Sequence, residues 1–311
     1  MKRRPLGNTG ISVGEIGLGG WQLANPLWDT HRGLDSENVV KLALDAGCDF
    51  FDTAPGYGGG RSEELLGKAL KSVRSRVTIC TKFGHEADGT HNFDASAIRP
   101  SLEASLRRLQ TDHVDILLLH NPPIDMMDGT QAPHYEELER LKTEGKLRVY
   151  GVSLDHGHEL ETVMRTTHCG AVEVLFNAFH QEPLAACRRA AVAGIGLIVK
   201  VPLDSGWLSG KYRRDSHFTD IRERWSREII ELRAKLVEQF AALLPPGISL
   251  AHAALAYVLA QPEFSTVIPG AKSVEQARDN FAAADTLLPA AVVRAIRDFW
   301  KRELKADPLA W

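Results

Sequence analysis

The chain has 311 residues, 44% of them hydrophobic and 25% charged, which supplies a large buried core and excludes a disordered, purely solvated chain. Its 37 basic and 40 acidic residues are mixed along the sequence and leave a formal net charge of -3, so the broad basic surface of a nucleic-acid or anionic-membrane binder is excluded. The four cysteines, Cys48, Cys80, Cys169 and Cys187, are widely spaced without a CxxC pair. That usage predicts a reduced, cytoplasmic protein. The basic start is followed by no apolar signal core, and no run of about 18 apolar residues offers a membrane span, so a soluble, unprocessed protein is expected.

In chain order, Gly7-Asn8-Thr9-Gly10 between short apolar pieces predicts an N-terminal hairpin over residues 4–13, serving as a lid or a plug. From Glu15 the sequence settles into alternation. Short apolar runs at Ile16–Gly19, Asp49–Phe51, Val77–Lys82, Val114–Leu119, Val149–Val152, Val172–Phe176, Leu197–Val201 and Thr266–Pro269 are strands. Between and after them, amphipathic segments at Asp35–Ala46, Ser62–Leu70, Ala95–Leu109, Tyr135–Glu144, Leu160–Arg165, Pro183–Ala193, Leu250–Leu259 and Val274–Ala284 are helices. Several strands are apolar without alternation, as expected where both faces are covered. Eight strand-helix units in about 250 residues predict a closed α/β barrel of the (β/α)8 (TIM) type. A doubly wound open sheet is the alternative, but no GxGxxG follows the first strand. No composition shift marks a boundary, so residues 1–311 read as one domain.

Two segments fall outside the repeat. Residues 202–224, rich in Gly, Arg, Lys and Asp, predict a long loop over the barrel mouth, followed by an amphipathic helix over Trp225–Leu244. Residues 289–304 predict an added C-terminal helix, with a tail ending in Trp311.

In a (β/α)8 barrel the C-terminal strand ends surround one pocket. Asp52, Lys82 and His120 close the second, third and fourth strands, and Tyr57 lies in the Gly-rich turn just after Asp52. A Tyr has an ordinary pKa of about 10; a nearby ammonium favours its phenolate, a carboxylate holds that ammonium, and a His orients a carbonyl or relays a proton. Such a set suits proton donation to a carbonyl oxygen that gains charge as hydride reaches the carbon. Taken singly, each has a plainer role: Asp52 as a loop cap, Lys82 as a solvated edge charge, His120 as a core histidine, Tyr57 as loop packing. All four fall at corresponding strand ends, which chance rarely arranges.

Phe51-Asp52-Thr53-Ala54 with Tyr57-Gly58 and Ser62-Glu63-Glu64-Leu65-Leu66-Gly67 resembles the most specific stretch of the aldo-keto reductase superfamily. Thr81-Lys82, the strand ending in His120, Gly151-Val152-Ser153, Ser209-Gly210-Lys211-Tyr212 and Ile268-Pro269-Gly270-Ala271 are also similar. The resemblance covers nearly the whole chain. It implies a barrel with an N-terminal hairpin, a nicotinamide dinucleotide held without a Rossmann fold, and a tetrad of Asp52, Tyr57, Lys82 and His120. It also implies cofactor contacts from Ser153, Asn177, Leu203, Ser209, Lys211, Gly270, Lys272, Gln276 and Asn280. The sequence departs from the family pattern at three nicotinamide-side positions: Leu154 replaces an Asn, Glu173 a Gln, and Lys200 a stacking aromatic.

At the other end of the dinucleotide, Lys272 and the N-terminus of the last repeat helix suit a phosphate, so NADP (NADPH) is the expected cofactor and NAD the alternative; Arg278 reads as a solvated charge. Trp21, His85 and Trp207 are candidates for lining a substrate pocket, with core or lid packing the alternative for each Trp. His85, His91, His156 and His158 lack paired ligand spacing, so no metal site is expected. The expected activity is reduction of a small-molecule aldehyde or ketone, or the reverse. An NAD-preferring sugar 1-dehydrogenase and a cofactor-binding redox-sensing barrel are the alternatives.

Overall fold

The computed structural model describes residues 1–24 and 35–309; Trp311 lies outside them. The chain opens with a hairpin, β1 (Arg3–Pro5) and β2 (Ser12–Gly14), paired antiparallel. The repeat follows as β3 (Leu18–Gly19), α1 (Ser36–Asp45), β4 (Phe50–Asp52), α2 (Arg61–Leu70), β5 (Thr78–Phe83), α3 (Ile98–Leu109) and β6 (Val114–His120). A short α4 (Ile124–Met127) precedes α5 (His134–Thr143), β7 (Leu147–Leu154), α6 (Gly157–Thr166), β8 (Ala171–Leu175), α7 (Leu184–Val192) and β9 (Gly196–Lys200). After the long loop come α8 (Arg227–Ala241), α9 (Leu250–Leu259), β10 (Thr266–Val267), α10 (Val274–Ala282) and the added α11 (Ala290–Glu303).

Strands β3 to β10 form one parallel sheet in sequence order. Its edges meet through parallel bridges from Ile16 to Val267 and from Gly19 to Gly270, with Gly17 N–H donating to the Val267 carbonyl at 2.8 Å. The barrel is therefore closed, as the alternation predicts. Most expected elements fall within a few residues of their observed bounds. The differences have local causes. The segment expected to be helical from Ala95 begins with a 3-10 turn over Ala95–Ala97, leaving Pro100 in the first turn of α3, where its missing N–H is harmless. Four residues carry too little periodicity to announce α4.

Two apolar layers hold the barrel. The larger packs the outer faces of the strands against the helices; the smaller fills the inside with Phe50, Cys80, Ile116, Leu118, Ala171, Ile198 and Ile268. The hairpin contributes Leu6, Ile11 and Val13 to this inner layer, so of the two expected roles it is a plug, seated at the end of the barrel opposite the strand C-termini. Its turn depends on Gly7, at φ +53°, where a Cβ would stand 2.2 Å from the Gly194 carbonyl oxygen; Asn8 N–H donates to that carbonyl at 2.7 Å. Leu6 is fully buried, so Leu6→Ala should lower stability by about 2–5 kcal/mol in denaturant unfolding. A loss within experimental error would show that the hairpin does not carry the inner core.

Candidate active site

Strand β4 ends on Asp52, and the chain turns at once into a tight loop. Tyr57 N–H donates to the Ala54 carbonyl at 3.1 Å and Ser62 N–H to the Tyr57 carbonyl at 3.3 Å. Gly58, Gly59 and Gly60 all have positive φ, and a Cβ on Gly58 would sit 2.3 Å from the Ala24 carbonyl oxygen. Glycine there lets the backbone double back and bring Tyr57 over the strand ends. The Ser62-Glu63 pair fixes this turn against its neighbours. Ser62 Oγ donates to the Gly20 carbonyl and accepts from Thr53 Oγ1, both at 2.9 Å. Buried Glu63 accepts from Thr81 Oγ1 at 2.6 Å and from Arg108 Nε at 2.7 Å. Thr81 precedes Lys82, so the same carboxylate anchors the strand that carries the ammonium.

The four expected residues meet. Lys82 Nζ lies 2.5 Å from Asp52 Oδ1, donates to the Thr53 carbonyl at 3.1 Å, and stands 5.2 Å from the centre of the Tyr57 ring. The His120 and Tyr57 rings meet edge to face with centroids 5.8 Å apart. Burial works against the charge on Lys82, but Asp52 and Glu173 outweigh it and hold the ammonium protonated well above the ordinary lysine range. Burial, reinforced by the charges of Lys82 and His85, holds His120 neutral; its Nδ1 has no hydrogen-bond partner among the described residues. At Tyr57 the expected pull of Lys82 toward the phenolate is present, but it does not decide the net shift. Burial pushes the phenol upward, Lys82 pulls it down, and Asp52 and Glu173 add to the rise, so the net shift is up. The two carboxylates that hold Lys82 also spend much of its field.

Asp52, Tyr57 and His120 line a cavity of about 640 Å³, with Lys82 buried behind them, within the range of small-ligand sites. Its wall includes Trp21, Asp52, Tyr57, His85 and His120, and on the far side Leu203, Ser209, Lys211, Gly270, Lys272, Gln276 and Asn280. Helix α10 is capped by Ser273, which accepts from Gln276 N–H at 3.3 Å. Gln276 Oε1 accepts from Lys272 N–H at 2.9 Å, and Asn280 Nδ2 donates to the Gly270 carbonyl at 3.2 Å, so these side chains brace the turn they share. Arg278 is exposed. His85 stacks between His91 and His120, with centroids 4.2 and 4.1 Å away, and burial draws its pKa down to about 4.

Three expected positions turn out otherwise. Asn177 is buried and does not line the cavity: its Nδ2 donates to the Val201 carbonyl at 3.0 Å and its Oδ1 accepts from the N–H groups of Phe179 and His180. It braces Val201, which has φ +53°, a strained value for a β-branched residue. Trp207 is fully buried among Tyr212, Phe218 and Trp225; it forms the loop's own core and does not line the cavity. Ser153 is buried behind the wall, where its Oγ donates to Glu173 Oε1 at 3.0 Å.

The wall also holds Asn121, Arg222 and Arg224, which the sequence does not single out. Asn121, directly after His120, accepts from Lys200 Nζ at 2.7 Å, and its Oδ1 lies 2.9 Å from Ser153 Oγ; its place one residue past a strand end was a usable signal. Lys200 also pairs with Asp155 at 2.9 Å. Arg222 and Arg224 reach the wall from the long loop, where Arg222 Nε donates to the Ser205 carbonyl at 2.9 Å; the sequence shows only a charged loop there.

The sequence matches the model of the aldo/keto reductase family over residues 15–301. The chain is 32% identical to the L-galactose dehydrogenase of Arabidopsis thaliana, across 92% of this chain and 89% of that protein. It is 30% identical to the NADH-specific methylglyoxal reductase of Escherichia coli (strain K12), across 96% and 98%. Its structure is similar to the holo form of the aldo-keto reductase AKR11C1 from Bacillus halodurans, with a TM-score of 0.82, 26% identity and 96% of each chain covered. A match of that length, on a barrel of this topology, makes the chain a member of the aldo/keto reductase family.

Proposed function

We propose that the protein is an NADP-dependent oxidoreductase that reduces a small aldehyde or ketone to an alcohol, or runs the reverse, with Tyr57 as the proton donor. The observation that carries this reading is the buried Lys82 ammonium, held by Asp52 at 2.5 Å and standing 5.2 Å from the Tyr57 ring in the cavity wall.

The cavity supports an extended dinucleotide. Tyr57 and His120 stand at one part of the wall, and Lys211, Lys272, Gln276, Asn280, Arg222 and Arg224 at another. In the proposed complex Leu203, Ser209 and Lys211 hold the middle of the cofactor, and Gly270, Lys272, Gln276 and Asn280 its adenosine end. The cations beside α10 favour a 2′-phosphate, hence NADP over NAD. When bound, NADPH supplies a hydride to the carbonyl carbon.

The chain's own residues do the rest. Tyr57, kept protonated by its burial, delivers its proton to the carbonyl oxygen as that oxygen becomes basic. Lys82 stabilises the phenolate left behind, and Asp52 keeps Lys82 in place. His120, neutral at physiological pH, orients the carbonyl without adding charge. Trp21 and His85, both in the wall, shape the substrate side. A sugar 1-dehydrogenase is the second reading, favoured by the likeness to L-galactose dehydrogenase; it uses the same tetrad in the oxidation direction.

Tyr57→Phe should cut turnover of an aldehyde with NADPH by about 10²–10⁴-fold while NADPH still quenches or shifts protein fluorescence. Near wild-type turnover would remove Tyr57 from the acid role. Lys272→Ala should weaken NADPH binding by about tenfold or more and leave NADH binding nearly as it was. Equal losses for both cofactors would count against a 2′-phosphate contact.

A further inference from the structure

Glu173 is buried on β8 where the family resemblance places a Gln, and it faces the catalytic ammonium. Its Oε2 lies 3.2 Å from Lys82 Nζ, on the ammonium that Asp52 approaches to 2.5 Å. The acid oxygens of Asp52 and Glu173 and the Cys80 sulfur all lie within 4.8 Å of one another. Two buried carboxylates thus crowd one ammonium. Glu173 Oε1 receives the Ser153 hydroxyl at 3.0 Å, but Oε2 finds no aligned hydrogen-bond donor among the described residues. A proton on Asp52 supplies that donor and relieves the repulsion.

Resting on the reading of Tyr57 as the proton donor, we propose that Glu173 is a positioning residue of the tetrad: it shares one proton with Asp52 beside Lys82 and sets the charge against which Tyr57 ionises. The groups around this pair come from every neighbouring strand end: Asp52 on β4, Cys80 and Lys82 on β5, His120 on β6, Lys200 on β9, and Tyr57 on the turn after β4. Burial and the charge of Glu173 push the Asp52 carboxyl up to about 8, against the pull of Lys82. Glu173 is drawn the other way: burial opposes its charge, but Lys82 and Lys200 outweigh it. The pair therefore keeps one proton at neutral pH, weighted toward Asp52. At alkaline pH both ionise, Lys82 is over-neutralised, and the phenolate of Tyr57 meets one surplus negative charge. Lys200, the ammonium on the strand next to that of Glu173, is committed to Asn121, Ser153 and Asp155 and so does little to offset that surplus.

Glu173→Gln keeps the shape and removes one charge. The first readout needs neither substrate nor cofactor. Infrared difference spectra of the wild type should show a protonated-carboxyl band that disappears as pH rises through about 8. The band should be missing at neutral pH in Glu173→Gln, because Asp52 alone beside Lys82 ionises at lower pH. Ser153→Ala, which removes a donor to the Glu173 carboxylate, should move the loss of the band to higher pH and serves if the glutamine variant fails to fold. In turnover, the alkaline fall of carbonyl reduction should begin about one pH unit lower in Glu173→Gln, the size of one unit charge acting through a buried site. Alcohol oxidation should rise over the same alkaline range, above the pH at which the wild-type pair loses its shared proton, whereas a merely structural role would depress both directions. A carboxyl band unchanged in Glu173→Gln, or an alkaline limb that does not move, overturns the shared proton. If Tyr57→Phe keeps its turnover, the reading of Tyr57 fails by itself, while the infrared result still decides whether Asp52 and Glu173 share a proton.

Discussion

The site is organised around one buried ammonium. Lys82 reaches Asp52 and the adjoining Thr53 carbonyl at the end of β4, and Glu173 on β8. A charge taken this far from water costs several kcal/mol unless it is paired, and stripping one partner from such a pair costs about 3–5 kcal/mol. The barrel meets this demand geometrically. Parallel strands bring their C-termini to one ring, so residues far apart in sequence converge on a single point, while the hairpin seals the other end and keeps the inner layer dry. The Glu63 contacts to Thr81 and Arg108 extend the same control outward, since they fix the strand segment from which Lys82 projects.

Most of this was legible from the chain. The alternation of buried runs and amphipathic helices is a local property, and closure of eight such units is the arrangement that buries both faces of every strand. Asp52, Lys82 and His120 could be placed because a strand end is readable to within a residue or two. Side-chain direction was not readable in loops and irregular ends. Trp207 looks like a mouth residue by position, yet an aromatic cluster inside the loop claims it. Asn177 looks like a ligand-holding amide, yet the backbone around Val201 uses all of it. The net shift at Tyr57 was not readable because pairing alone was visible in sequence; the burial of the phenol and the second carboxylate on Lys82 are tertiary facts.

The departures at Glu173 and Lys200 belong together. They put opposite charges on neighbouring strands, linked by Ser153, which donates to Glu173 and accepts from Lys200 at 2.8 Å. The result is a row of alternating charge from Lys82 through Glu173 and Lys200 to Asp155, lying behind and beside the cavity. Such a row satisfies buried charges internally, and this part of the site is thereby built from ionic groups where the family resemblance leads one to expect neutral amides and an aromatic ring. Lys200, in the wall and part of this row, is matched there by Asp155 at 2.9 Å.

The central claim is that the phenol of Tyr57 gives its proton to a carbonyl oxygen inside this charged frame. The most direct measurement is the single-turnover rate of aldehyde reduction by NADPH in mixtures of light and heavy water. Transfer from one phenol predicts a slower rate in heavy water, falling linearly with the deuterium fraction because a single proton moves. A rate indifferent to heavy water would contradict proton donation in the reductive step.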